Sequence, residues 1–231
     1  MKANVCYVLQ ITLVHCLLLE LCGITMFSNS SIGILLFFTH ILSAISVGFI
    51  FGLYSRIKQN SKKVSASIPL CKDVQACTLK DLGAILSNAI LESSKTIIMI
   101  GGFVVIFSVV ISILNNSKIL EVISYILYPI LKLLNIPLSF AKPIISGIVE
   151  LTNGVSLVAS TATKNISINI ILCAFLLGFG GISVLLQVLS IISKTDLSIK
   201  KYIIGKLLQG IIAATYTYIL ITILPMFNFN L

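Results

Sequence analysis

Four stretches of this chain run without a single Asp, Glu, Lys or Arg: Leu21 to Ser55, Thr96 to Ser117, Asn165 to Ser193 and Leu207 to Leu231. A helix needs about 20 mostly apolar residues to cross the hydrocarbon core of a bilayer, and each stretch is long enough. Water cannot be the main solvent of such a chain. Of its 231 residues, 58% are hydrophobic and only 10% charged, which leaves too little polar surface to wet a compact domain. An all-α, polytopic membrane fold is therefore expected. Val5 to Phe27 also reads as a span, although it carries His15 and Glu20, and the polar turn Ser28-Asn29-Ser30-Ser31 divides it from the next. Spans are thus expected at Val5 to Phe27, Ile32 to Tyr54, Thr96 to Leu114, Asn165 to Ser193 and Tyr202 to Leu224. A cleaved signal peptide is the alternative for the N-terminus; Glu20 and the lack of a small-x-small cleavage site count against it.

Sixteen Lys and Arg against seven Asp and Glu leave a net charge of +9, which in a soluble protein would suggest nucleic acid. Here no nucleic-acid partner is expected, because the cations gather between the apolar runs. Arg56, Lys58, Lys62, Lys63, Lys72 and Lys80 lie in one segment, and Lys194, Lys200, Lys201 and Lys206 in another. Cytoplasmic loops carry such an excess, so residues 56–80 and 194–206 are expected on the cytoplasmic side. The chain divides accordingly into two N-terminal spans (1–55), a basic loop (56–80) and a helical membrane domain (81–224). Thr78 to Lys95 reads as a cytoplasmic-side amphipathic helix leading into the next span.

The middle of the chain departs from simple spanning helices. Ile119 to Leu134 reads as an amphipathic helix with Tyr125 and Tyr128, interrupted by Pro129 and stopped before Pro137, and is expected at the membrane interface or packed under a hairpin. Beyond it, Pro143, Gly147, Glu150, Thr152, Asn153 and Gly154 break up an otherwise apolar segment. Gly178, Gly180 and Gly181 interrupt the charge-free run that follows. Non-helical backbone at membrane depth survives only where protein or a water-filled cavity satisfies it. Two re-entrant or broken helices are therefore expected, and paired interruptions of this kind are the best sequence pointer to a transporter binding site.

Glu150 is the sharpest candidate, since an ionisable group inside a membrane segment is costly and is usually paired, water-facing or functional; the plainer reading is an interfacial position. Thr152 and Asn153 can add neutral hydrogen bonds beside it, and Gly154 close backbone approach, or the three can simply form a turn. Ser183 and Gln187, four apart, share one helical face and serve either that same site or hydrogen bonding between helices. Gly178, Gly180 and Gly181 mark the second break or permit close helix packing. His15 and Glu20, five apart, do not make a tidy metal pair. The six cysteines form no Cys-x-x-Cys motif, and no phosphate loop, His-Glu-x-x-His or Gly-x-Ser-x-Gly occurs. Neither cofactor, metal nor enzymatic activity is expected.

Glu150-Leu-Thr-Asn-Gly154, Gly178-Phe-Gly-Gly-Ile-Ser183, the stretch from Gln187 to Asp196 and Ile100-Gly-Gly-Phe-Val-Val-Ile-Phe-Ser108 resemble the sporulation integral membrane proteins of the YlbJ type, with which the likeness runs from about Ile24 to Leu224. The resemblance implies the gate domain shared with concentrative nucleoside transporters and the FeoB iron transporter, here within 81–224. It also implies a transporter of a small polar solute such as dipicolinate in the outer forespore membrane. Glu150, Thr152, Asn153, Gly154, Gly178, Gly180, Gly181, Ser183 and Gln187 are the residues that match. An anionic solute suits helix N-termini, while Glu150 more naturally holds a coupling cation or proton. Members of the family are longer and carry a second gate-like repeat, with no counterpart here, so the chain is expected to be a truncated or split gene product or a transporter half completed by a homodimer or a partner half. The rival expectation is a non-transporting scaffold for the spore envelope, whose polar residues only join helices.

Overall fold

The computed structural model describes residues 25–59, 79–163, 166–192 and 199–223, and among these the chain is built from helices with no strand. In order they are α1 (Ser30–Gln59), α2 (Leu79–Asn116), α3 (Ile119–Leu133), a 3-10 turn (Leu138–Phe140), α4 (Ala141–Val149), α5 (Leu151–Ser160), α6 (Ile166–Phe179), α7 (Gly181–Ile192) and α8 (Ile199–Ile223). Segments long and apolar enough to cross a membrane are Ser30–Tyr54, Leu86–Asn116, Ile166–Leu189 and Ile199–Ile223, in line with four of the expected spans. The fifth, Val5 to Phe27, lies almost wholly outside the described residues, as do His15, Glu20 and the basic loop from residue 60 to 78.

Local chemistry explains the boundaries. The Asn29 side chain accepts a hydrogen bond from the Ser31 N–H at 2.9 Å, capping α1 where the polar turn ends. The amphipathic segment before Lys95 and the span after it form one continuous helix, α2. Nothing at their junction breaks the ladder. Instead Lys95 pairs with Glu92 at 3.0 Å and the Thr96 hydroxyl donates to the Glu92 carbonyl at 2.9 Å. Lys118, at φ 59°, turns the chain into α3, whose buried side carries Leu120, Ser124 and Leu131 while Val122, Tyr125 and Ile126 are exposed. That is the expected amphipathic helix, with one correction. Pro129 does not interrupt it. The Tyr125 carbonyl loses its usual donor at Pro129, and both residues lie on the exposed side of the helix.

The core gathers around α6, which is apolar on all sides and packs against α1, α5 and α8. Ile32, Leu36, Phe140, Val158, Ile170, Cys173 and Leu176 are its most enclosed side chains. Helices α1 and α8 run antiparallel, with Phe51 beside Gly205 and Thr39 meeting Thr217 at 3.3 Å, hydroxyl to hydroxyl. Ser46 and Tyr216 add a second such contact at 2.8 Å, and these hydroxyls join the helices where lipid offers no hydrophobic drive. By contrast, α2 buries only Thr96 and Ile111 among its described side chains.

Candidate functional site

Two helix breaks, placed as the sequence suggested, build the site. At the first, α4 and α5 fold back on each other as a helical hairpin. Their backbones touch. A Cβ on Gly154 would lie 1.9 Å from the Gly147 Cα, an approach only a pair of glycines permits. Glu150 forms the tip, its backbone extended at φ −139° and ψ 119° and its own N–H donating to the Ser146 carbonyl at 2.7 Å.

The Glu150 side chain is 1% exposed, enclosed by the protein around it. Its Oε1 accepts from the Thr152 N–H at 3.0 Å and its Oε2 from the Asn153 N–H at 2.7 Å. A new helix leaves its first N–H groups without partners, and here a carboxylate satisfies two of them. Its negative charge also faces the positive end of the α5 dipole. Each oxygen keeps a second lone pair, so the capping carboxylate retains acceptor capacity toward a cation or hydroxyl. Thr152 and Asn153 contribute their backbone here, and both side chains are half-buried.

The second break separates α6 from α7. Gly180 and Gly181 take φ of +87° and +72°, a conformation open to glycine and strained for other residues. The Gly180 N–H donates to the Leu176 carbonyl at 2.8 Å, closing the last turn of α6. The breaks meet: a Cβ on Gly181 would lie 3.0 Å from the Gly147 carbonyl oxygen and 3.2 Å from the Leu151 nitrogen. Gly178 serves the opposite side, where a Cβ would stand 2.7 Å from the Gly210 Cα, so α6 and α8 pack backbone on backbone. Ser183 and Gln187 are both buried on α7, which packs against α4 and α5. The Ser183 hydroxyl has no hydrogen-bond partner among the described residues.

Three residues at this site escaped the sequence reading. Lys206, expected in a cytoplasmic loop, lies in the second turn of α8 and reaches back to the second break. Its Nζ donates to the Gly178 carbonyl at 3.3 Å and to Gln209 Oε1 at 3.2 Å. The Gln209 amide nitrogen in turn stands 3.4 Å from His40 Nε2 on α1. The i,i+3 spacing of Lys206 and Gln209 was the available signal, hidden by counting Lys206 with its basic neighbours. A fourth, Asn169, holds the far end of the hairpin: its amide donates to the carbonyls of Val158 and Thr161 at 2.7 and 2.8 Å. No group of three or more His, Cys, Asp or Glu suited to a metal occurs among the described residues.

A family model described as "Gate: Nucleoside recognition" matches residues 97–195, a range that holds both breaks. The chain is also 34% identical over 203 residues to the sporulation integral membrane protein YlbJ of Bacillus subtilis (strain 168). That likeness covers 84% of this chain and 50% of the relative, so the chain spans about half the relative's length. No solved structure matches. The stretch that forms the hairpin and the broken α6–α7 helix is thus similar to the nucleoside-recognition gate family, and the chain over most of its length to a sporulation integral membrane protein.

Proposed function

We propose that this chain is a transporter, or half of one, for a small polar solute during sporulation, with its site where the two broken helices meet. One observation carries the reading most of the way: two glycine-dependent breaks are packed tip against tip. Broken membrane helices expose partial charges to a substrate or ion. The first break brings a buried carboxylate, Glu150, and the second an ammonium, Lys206, so the pair offers opposite charges to a solute and a coupling cation or proton. Dipicolinate, an anionic dicarboxylate, suits the ammonium and the α7 N-terminus at the second break, and a sporulation role accords with the similarity to a sporulation integral membrane protein. Glu150, Thr152, Asn153, Gly154, Gly178, Gly180, Gly181, Ser183 and Gln187 form the contact set in this reading. The basic segments 56–80 and 194–206, Lys206 excepted, face the cytoplasm, the outer forespore membrane is the place of action, and a second copy or a partner half completes the pathway.

Uptake of labelled dipicolinate into proteoliposomes, with protein abundance measured beside it, tests this. Glu150→Gln and Gln187→Ala should each lower flux per molecule by about tenfold or more, equivalent to about 1.4 kcal/mol at the barrier, with insertion retained. One observation favours a second reading, the envelope scaffold: both Glu150 oxygens already cap α5. On that reading abundance falls and the wild type moves no solute.

A further inference from the structure

We propose that Lys206 is a tethered cation, holding the C-terminal end of α6 at the second break where a broken membrane helix otherwise takes up an exchangeable alkali-metal ion. A helix that stops at membrane depth leaves carbonyl groups without intrahelical donors and about half a negative charge at that end. Discontinuous transporter helices use such carbonyls to coordinate sodium. Here the Lys206 ammonium stands 3.3 Å from the Gly178 carbonyl and 3.2 Å from Gln209 Oε1, two neutral oxygens of the kind a hard cation selects. Its hydrogen bonds among the described residues go to these two groups and to no carboxylate.

The surroundings are shaped to bring the ammonium there. Gly178 against Gly210 lets α8 approach α6 at backbone distance. The Lys206 Cε lies 3.7 Å from where a Gly180 Cβ would stand, so the lysine stem runs along the break itself. With its oxygen turned to Lys206, the Gln209 amide directs its nitrogen, a donor, at His40 Nε2 3.4 Å away. The direction of that contact follows the imidazole tautomer. A single fixed cation thereby orients a polar chain from α6 through α8 to α1.

The location rests on the transport reading, but the readout does not: stability, not flux, is measured, so failure of one is distinguishable from failure of the other. The purified full chain in detergent is unfolded by heat in choline chloride, sodium chloride or potassium chloride, followed by its helical circular dichroism. The wild type should unfold at the same temperature in all three salts, and Lys206→Arg likewise. Lys206→Met, which keeps the stem and removes the charge, should unfold earlier in choline and recover by about 3 °C or more in one alkali salt, the size expected for mass-action binding of an ion to the vacated oxygens. Lys206→Gln is the second variant should the methionine form not fold, with the same expectation. A wild type that sodium or potassium stabilises as much as the charge-free variant would overturn the proposal. So would a charge-free variant that no salt restores, or one as stable as the wild type in choline.

Discussion

A single methyl group distinguishes two kinds of glycine in this chain. At Gly154 it would collide with the Gly147 backbone, whereas at Gly101, on the outward-facing α2, nothing lies within 4 Å of it. Gly154→Ala must therefore push α4 and α5 apart, at a cost of about 1–3 kcal/mol as for other overpacked positions. Gly101→Ala should be neutral or stabilising by about 0.5–1 kcal/mol, since alanine loses less freedom in a helix. Thermal unfolding of both variants, run side by side in detergent, checks the contrast. Glu150 could be singled out from sequence because a lone carboxylate in an apolar run demands an explanation. Its capping role could not, because Glu is outside the usual cap residues. Lys206 was missed for a different reason: its partner, Gly178, is 28 residues away, and only the fold brings them together.

Among the elements, the tie between α3 and the hairpin is open to titration. Lys142, in the first turn of α4, donates to Glu121 of α3 at 3.0 Å. That hydrogen bond, and then the charge behind it, holds the Glu121 carboxyl below its usual 4.5. A depressed folded value means that the pair contributes above the ordinary carboxylate range and is lost as the pH falls through the lowered value. Both side chains are about half exposed, so the effect is small and screened by salt. Hydrogen exchange in α3 should rise modestly as the pH drops from 6 to below 4.5, after correction for the intrinsic rate. Glu121→Gln should show the raised exchange at both. Equal protection of α3 at the two pH values in the wild type would show that apolar packing of Leu120 and Leu131 alone holds it. Periodicity made α3 legible, yet its proline misled, because Pro129 sits on the exposed side of the helix, where its ring meets no neighbouring element. Both breaks were legible for the opposite reason: glycines and a carboxylate in apolar sequence are hard to reconcile with one continuous spanning helix.

For the molecule as a whole, the distribution of cations argues the orientation. Cys71 and Cys77 lie in the basic segment 56–80, so a membrane-impermeant maleimide should leave them unlabelled in intact cells and label them once the membrane is opened. Labelling in intact cells would invert the topology. Span positions were readable because the length of an apolar run is nearly all that a bilayer requires. Which helix sits at the centre was not readable, since α2 and α6 are both strongly apolar and differ only in that α6 is enclosed by α1, α5 and α8 while α2 is largely bare.

That bare helix is also long. At 38 residues and about 1.5 Å per residue it extends about 57 Å, nearly twice the hydrocarbon thickness of about 30 Å. Its apolar segment, Leu86–Asn116, is by itself about 46 Å long and exceeds that thickness, so the helix must tilt or carry its Leu79 end out of the bilayer as a stiff mast. Since the same helix packs against α7, the helix that follows the second break, a sideways pull on the mast would be delivered as leverage on α7.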